Sequence, residues 1–457
     1  MDFPLICAVA TPEGVGGISI VRLSGAGSWQ LAKKIFQPHS PFDWQEVKGF
    51  SLHYGHIVYD EKIYDEVLLA LMKEDRSYTK EDMAEIQCHG GFLAAKRILE
   101  LLIALGAKLA LPGEFTKRAF FHGRIDLSQA EAVIETIHAM DEKDLDFSLT
   151  RLKGDKGRSF LKIRDDLVAL IAETEAVIDF PEDGLDDTVA ETIHRRVLSM
   201  LAAIDKEIAK ADEGKVYRQG IATAIAGRTN VGKSSLMNAL LREERAIVTE
   251  IPGTTRDVIE DTVILKGIPL RLMDTAGIRE TDDPVEKIGV DKSRASLKKA
   301  DLILFVTDKS GAFDREEQEI LEACGNKKVI VICNKEDIVD YDKKAMEAVA
   351  APYPVVFLSA RENKHLESLG ETVRELFVTG AITQDQSEWV GNLRHKESFI
   401  RAKNHLLEVL KAQEMMMPLD FQVIDLRGAL DALGEINGEN ISMEILDRIF
   451  SEFCIGK

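Results

Sequence analysis

The chain has 457 residues, room for roughly three domains at about 150 residues each. Apolar residues make up 45% and charged residues 30%, which excludes a disordered or collagen-like chain. The net charge of −20 argues against indiscriminate coating of nucleic acid or anionic membrane, although a local basic face remains compatible with it. Five scattered cysteines without a CxxC pair fit a reducing compartment, not a disulfide framework or zinc site. The opening MDFPLICAVATPEG lacks the basic region of a signal peptide, and no run approaches the ~18 apolar residues of a spanning helix. The expectation is a cytoplasmic protein with no membrane partner.

In chain order, residues 1–120 alternate β-rich runs (ISIVRL, EVLLALM, MAEIQC) with Gly- and Pro-containing turns and one helical stretch through Phe92–Leu105, which predicts an α+β domain. From Asp126, a candidate N-cap, helix formers take over. Ile163, Leu167, Leu170 and Ile171 recur at helical spacing, FPEDGLDD (180–187) interrupts, and helix resumes to residue 219. Residues 220–380 then give apolar, β-branched runs (IATAIAG, TVILKGIPLRLMD, LILFVTD, KVIVICN, VVFLSA) separated by helix-length segments, the pattern of a mostly parallel sheet covered on both faces. Lys266-Gly267 inside the second run predicts a hairpin, hence one antiparallel strand. Residues 381–457 are helical again, with Phe399, Ala402, Leu406 and Leu410 on one face and Leu426, Leu430 and Leu433 on another. The economical reading is a helical domain (121–219 and 381–457) split by an inserted α/β domain.

The strongest chemical signal is GRTNVGKS, Gly227–Ser234, placed between an apolar strand and the helix KSSLMNALL. Backbone amides from Asn230, Val231 and Gly232 can surround phosphate oxygens at a helix N-terminus. Lys233 would reach the β- and γ-phosphates, and Ser234, followed by Ser235, would ligate Mg²⁺. An ordered series follows: TEIPGTTRD (Thr249, Glu250, Ile251, Pro252, Gly253, Thr254, Thr255), DTAG (Asp274, Thr275, Ala276, Gly277), NKED (Asn334, Lys335, Asp337) and SAR (Ser359, Ala360, Arg361). This resembles the motif series of P-loop GTPases. Thr255 would be the second Mg²⁺ ligand, Asp274 would hold the metal through water, and Gly277 would meet the γ-phosphate. Asp337 can accept two hydrogen bonds from guanine N1–H and N2–H₂, a pair adenine does not offer, so GTP should be preferred to ATP. Lys335 would pack over the base. Ile278 stands where Ras-type enzymes carry the water-orienting glutamine, so one of Glu280, Asp282, Asp283 or Glu286 must take that task. No arginine finger is legible either.

With ATPEGVGGISIVRLSG at the start, EIQCHGG (85–91), PGEFTKRAFFHGRIDLSQAEA (112–132), the inserted GTPase and the final Cys454-Ile-Gly-Lys457, the chain resembles the MnmE (TrmE) family of tRNA wobble-uridine modification GTPases end to end. The resemblance implies an N-terminal tetrahydrofolate-binding-like domain, a discontinuous helical domain and an inserted Ras-like GTPase domain with a mixed sheet. It implies 5-formyltetrahydrofolate at Arg22, Glu85, Arg124 and Lys457, and a role for Cys454 as nucleophile or as support. It implies potassium at Asn230, Thr249, Ile251 and Thr254, supplying the charge an arginine finger gives elsewhere, and Glu286 positioning water. Thr229 stands where many relatives carry proline.

It further implies a homodimer, a heterotetramer with the flavoprotein MnmG bringing FAD and NADH, and tRNA as substrate, with a carbon unit and an amine added to uridine C5. The segment Arg151, Lys153, Lys156, Arg158, Lys162 and Arg164 is a candidate tRNA face or an ordinary solvated helix face. The competing class is an RNA- or ribosome-associated switch, which would be expected to append a basic module.

Overall fold

The structure is a computed structural model that describes residues 3–12, 14–47, 49–139, 142–154, 158–179, 186–243, 261–273, 297–309, 311–378 and 391–457. The chain divides into two units. The first comprises Met1–Ile137, Arg151–Asp155 and Leu433–Lys457; the second comprises His138–Thr150 and Lys156–Ala432.

The first unit is built on a seven-stranded sheet in the order β3-β4-β5-β6-β2-β1-β7. Its strands are β1 (Ile6–Val9), β2 (Ile18–Ser24), β3 (Phe36–Pro38), β4 (Phe50–Tyr59), β5 (Lys62–Met72), β6 (Met83–His89) and β7 (Lys108–Leu109). Alternation in ISIVRLS buries Val21 and Leu23 and turns Arg22 to the other face. Helices α1 (Ser28–Ile35) and α2 (Phe92–Ala104) contribute Leu31, Ile35, Ile98 and Leu102 to the core against Val21, Leu69 and Ile86. The predicted helical stretch at 92–105 is α2. Helix α3 (Glu114–Phe121) and α4 (Leu127–His138) follow. Asp126 caps α4 as expected: its Oδ1 accepts from Gln129 N at 2.9 Å, and Gln129 Oε1 accepts from Asp126 N at 3.0 Å.

The chain's last helix, Met443–Ser451, belongs to this unit and not to the helical array of residues 393–432. Its Leu446 and Phe450, with Phe453 beyond it, bury against Ala119, Ile125, Leu127 and Ala130. Tail residues Cys454–Lys457 then run beside the sheet: Phe115 N donates to the Lys457 main-chain oxygen at 3.1 Å.

In the second unit, α5 (Glu142–Leu152, up to Thr150), α6 (Arg158–Asp179), α7 (Asp186–Gln219) and the helices Leu393–Glu414 and Leu419–Gly434 pack side by side. Ile163, Leu167, Leu170 and Ile171 are all buried, as are Phe399, Ala402, Leu406 and Leu426. Phe160 meets Phe399 edge-on at 6.1 Å. Helix α7 runs directly into a six-stranded sheet of order β13-β12-β11-β8-β10-β9. Its strands are β8 (Ile221–Ala226), β9 (Asp261–Leu265), β10 (Ile268–Leu272), β11 (Leu302–Thr307), β12 (Lys328–Cys333) and β13 (Val355–Phe357). All pairings are parallel except β9–β10, joined through Lys266 (φ 49°) and Gly267 (φ 76°), the two-residue hairpin the sequence predicts. Helices α8 (Lys233–Glu243), α9 (Arg315–Cys324), α10 (Lys343–Ala350) and α11 (Leu366–Phe377) cover both faces of it.

Among the described residues no helix is long and apolar enough to cross a membrane. Of the candidate tRNA face, Arg151 is buried and ion-paired with Glu135, whereas Lys153 and Lys162 are exposed, Lys162 facing Asp166 at 3.6 Å, and Lys156 lies outside the described residues. A charge run read along the sequence cannot distinguish a solvated arginine from one neutralised inside the unit.

Candidate active site

The loop after β8 is shaped by glycines that nothing else could replace. A Cβ on Gly227 would lie 2.2 Å from the Val306 carbonyl oxygen, and one on Gly232 (φ 98°) would lie 2.2 Å from Asn334 Nδ2. Asn230 between them is left-handed at φ 64°. The loop closes on itself through Lys233, whose Nζ donates to the carbonyls of Gly227 at 2.7 Å and Arg228 at 2.6 Å. Burial lowers the Lys233 pKa, opposed by the nearby Glu316 carboxylate. Ser234 and Ser235 are exposed on the first turn of α8.

The NKED turn after β12 is tied to this loop. Asn334 Nδ2 donates to Val231 O at 2.9 Å, and its Oδ1 accepts from Ala360 N at 3.1 Å. One side chain therefore joins the phosphate loop, the turn and the SAR segment. Lys335 (φ 64°) donates from Nζ to Asn230 O at 3.0 Å and pairs with Asp308 at 2.5 Å. Ser359 Oγ donates to Asp337 Oδ1 at 2.5 Å, and this bond is the main reason the Asp337 pKa is lowered. Asp337 is thereby kept an acceptor.

Sequence reading missed the charged network behind the loop. Arg228 pairs with Asp314 at 2.7 Å and Glu316 at 3.3 Å, and Thr307 Oγ1 donates to the fully buried Glu317 at 2.8 Å. Asp314 and Glu317 form a capping box on α9 that the D-x-x-E spacing could have disclosed. Thr249, Glu250, Ile251, Pro252, Gly253, Thr254, Thr255, Asp274, Thr275, Ala276, Gly277 and Glu286 lie outside the described residues. The cation donor sets are consequently represented only by Ser234 and Asn230.

A second concave site lies within the first unit. Arg22 and Glu85 are direct cross-strand partners of β2 and β6, with Nε to Oε1 at 2.8 Å. Arg22 Nη1 also donates to the Gly456 carbonyl at 2.9 Å. Beside them opens a cavity of about 460 Å³ lined by Tyr78, Arg124, Gln129, Val133, Thr136 and Lys457, among others. The Arg124 guanidinium lies 4.6 Å from the Tyr78 ring centroid, and Tyr78 OH meets Thr116 Oγ1 at 3.0 Å. Lys457 belongs to both clusters: burial and then Arg22 lower its pKa, while Glu85 and Cys454 oppose. Cys454 is exposed. Of the four expected folate positions, Arg124 and Lys457 line the cavity and the Arg22–Glu85 pair lies within electrostatic reach of Lys457; the volume falls in the usual range of small-molecule sites, about 300–1,000 Å³. Tyr78 and Gln129 carried no sequence signal; only the closure of the unit brings them here.

A parallel sheet with one antiparallel edge strand, a glycine-cleared phosphate loop carrying a partly buried lysine, and an Asn-Lys-x-Asp turn pinned to that loop define a GTP-hydrolysing protein of the P-loop class. The model for the N-terminus of GTP-binding protein TrmE matches residues 5–124, and the MnmE helical-domain model matches residues 127–454. The tRNA modification GTPase MnmE of Thermoanaerobacter pseudethanolicus is 45% identical over 460 residues, covering 100% of both chains. That of Desulforamulus reducens is 42% identical over 456 residues and 99% of each. Among solved structures, Aquifex aeolicus Era bound to GDP.AlF4- is similar over 40% of this chain and 66% of its own, with 27% identity and a TM-score of 0.27. The chain belongs to the MnmE family of tRNA modification GTPases.

Proposed function

We propose that the chain couples GTP hydrolysis to modification of the wobble uridine of certain tRNAs at C5, as a homodimer working with MnmG. Membership of the family supports tRNA as substrate. The observation that carries the two-ligand reading is the convergence of Arg22, Glu85, Arg124 and Lys457 beside one cavity, in a unit separate from the nucleotide loop.

Asn334 would hold the phosphate loop and the base-reading turn in register while Asp337 accepts from guanine. Lys233, held over the loop by two carbonyls, would turn to the β- and γ-phosphates. Mg²⁺ at Ser234 and Thr255, and potassium at Asn230, Thr249, Ile251 and Thr254, would neutralise charge developing on the phosphates. Glu286 would orient water. In the first unit, Glu85 suits the N–H pattern of a pterin, and Arg22, Arg124 and Lys457 suit a carboxylate or formyl oxygen. 5-Formyltetrahydrofolate would supply a one-carbon unit there, and FAD and NADH would come with the partner. Cys454, exposed beside Lys457, would be nucleophile or support. In domain terms, 1–120 would serve folate, 121–219 and 381–457 the scaffold and tail, and 220–380 GTP.

The test is nucleoside analysis of tRNA from cells lacking this protein. Loss of the wobble-uridine side chain is expected; intact nucleosides would leave a GTPase switch without modifying chemistry.

A further inference from the structure

Each residue of the NKED turn has a visible task except one. Asn334 binds Val231 and Ala360, Lys335 binds Asn230 and Asp308, and Asp337 accepts from Ser359. The side chain of Glu336 points away from this cradle and is fully engaged all the same. Its Oε1 accepts from Lys343 Nζ at 2.9 Å and its Oε2 from His365 Nδ1 at 2.7 Å. Its own backbone N donates to Leu358 O at 3.2 Å. Lys343 opens α10 and lies 5.0 Å from the Phe357 ring centroid; His365 precedes α11.

These contacts differ from an ordinary surface pair, which is worth about 0–1 kcal/mol and holds nothing in place. Both carboxylate oxygens are used, by two different elements, and the side chain is only 20% exposed. Burial alone would raise the Glu336 pKa, yet the bonds from Lys343 and His365 leave it lowered, so the bridge stays charged. His365 also holds a left-handed backbone, φ 62°, which a residue with a Cβ keeps only when its surroundings fix it. Between Ser359 and His365 lie Ala360 and Arg361, which the motif series assigns to the nucleotide site. Ser359 is bridged to Lys364 through both main-chain bonds, at 3.2 and 3.1 Å, so a tether at His365 is felt at Ser359.

We propose that Glu336 is a positioning residue for guanine selection: by joining the NKED turn to His365, it fixes the segment 359–365 so that Ser359 holds Asp337 square to the base. The inference rests on Asp337 being the guanine acceptor. Removal of Glu336 leaves Asp337 present but loosely aimed, and the loss falls on the directional bond to the exocyclic amine.

The experiment compares GDP with IDP, which lacks that amine, by calorimetric titration of the full-length chain. The measured quantity is the ratio of the two dissociation constants, IDP over GDP. In Glu336→Ala the ratio is expected to fall by about three- to tenfold, the scale of one misaligned charged hydrogen bond. His365→Ala, which leaves Glu336 and the NKED turn intact, should lower it in the same direction, and it decides the matter should Glu336→Ala fail to fold. Asp337→Ala is the reference for the underlying reading. A ratio that collapses in Asp337→Ala but keeps its wild-type value in the folded Glu336→Ala and His365→Ala variants overturns the proposal. A ratio unchanged in Asp337→Ala overturns the guanine assignment itself.

Discussion

Substituting Gly456 by alanine tests whether the last residues of the chain form part of the first unit's ligand site. The added Cβ would lie 2.4 Å from the Val9 carbonyl oxygen and 2.9 Å from the Ala10 Cα, both backbone atoms that cannot step aside. At φ 92° an L side chain also costs about 1–2 kcal/mol. Relief requires the tail to leave its track, which breaks the Arg22 bond to the Gly456 carbonyl, worth about 1.5–3 kcal/mol for a charged donor. These terms overlap, and a loss of at least ~2 kcal/mol in the ligand-competent arrangement is expected, or roughly thirtyfold in affinity. Phe450 and Phe453 stay buried upstream, so the helix before the tail remains docked and the unit folded. Calorimetric titration with 5-formyltetrahydrofolate should show the thirtyfold weakening, with GDP affinity, measured on the same sample, unchanged. Wild-type folate affinity in the folded variant would refute a place for the last residues in that ligand site.

Asp337→Asn should weaken GDP and favour xanthosine diphosphate, because the amide now matches a carbonyl where guanine carries an amine; equal GDP affinity would end the base assignment. Replacing potassium by sodium at constant ionic strength should slow GTP turnover by at least tenfold, the scale of losing one transition-state cation contact; an unchanged rate would rule out the monovalent site at Asn230. Glu286→Ala should lower turnover by about 10²-fold or more while leaving GDP binding intact, as expected for a group that only places water. Lys457→Met should raise the melting temperature of the ligand-free chain while abolishing folate binding. The sign follows from the lowered pKa of Lys457: below it the ammonium is charged both folded and unfolded, and its burial costs stability in full. That cost disappears as pH rises through the lowered folded value, so the gap between variant and wild type should close toward about pH 10. A gap that widens with pH would invert the assignment.

Most of the nucleotide unit is legible in the sequence because its information is local. Apolar runs mark β8, β11 and β12, Lys266-Gly267 marks the single antiparallel pair, and the phosphate loop is contiguous from Gly227 to Ser234. The first unit is less transparent. Arg22 and Gly456 are 434 positions apart, and no periodicity links a cross-strand arginine to a terminal glycine. Tyr78 and Arg124 line the cavity together, the guanidinium 4.6 Å from the ring centroid, although they are far apart in sequence. Arg151 reads as surface charge until Glu135 is found beside it. In each case the deciding fact is a partner distant in sequence, which composition and spacing do not encode.

The two sites share one physical device. Each places a lysine directly after a glycine whose backbone is left-handed: Gly232 at φ 98° before Lys233, and Gly456 at φ 92° before Lys457. At each glycine a Cβ would strike a neighbouring group, so the chain passes where no other residue could and delivers the following side chain inward. Burial lowers the pKa of both lysines, which means that each ammonium is held partly stripped of water. Neighbouring groups, the Gly227 and Arg228 carbonyls at Lys233 and the Glu85 carboxylate at Lys457, offset only part of that desolvation, and an arriving anion would offset more of it. The free energy stored in that desolvation is released on binding, so the affinity of each site for an anionic ligand should exceed what an exposed lysine at the same distance would give. A residue other than glycine before either lysine would displace it and weaken the complex, while the clash and the left-handed backbone would cost the empty protein stability as well.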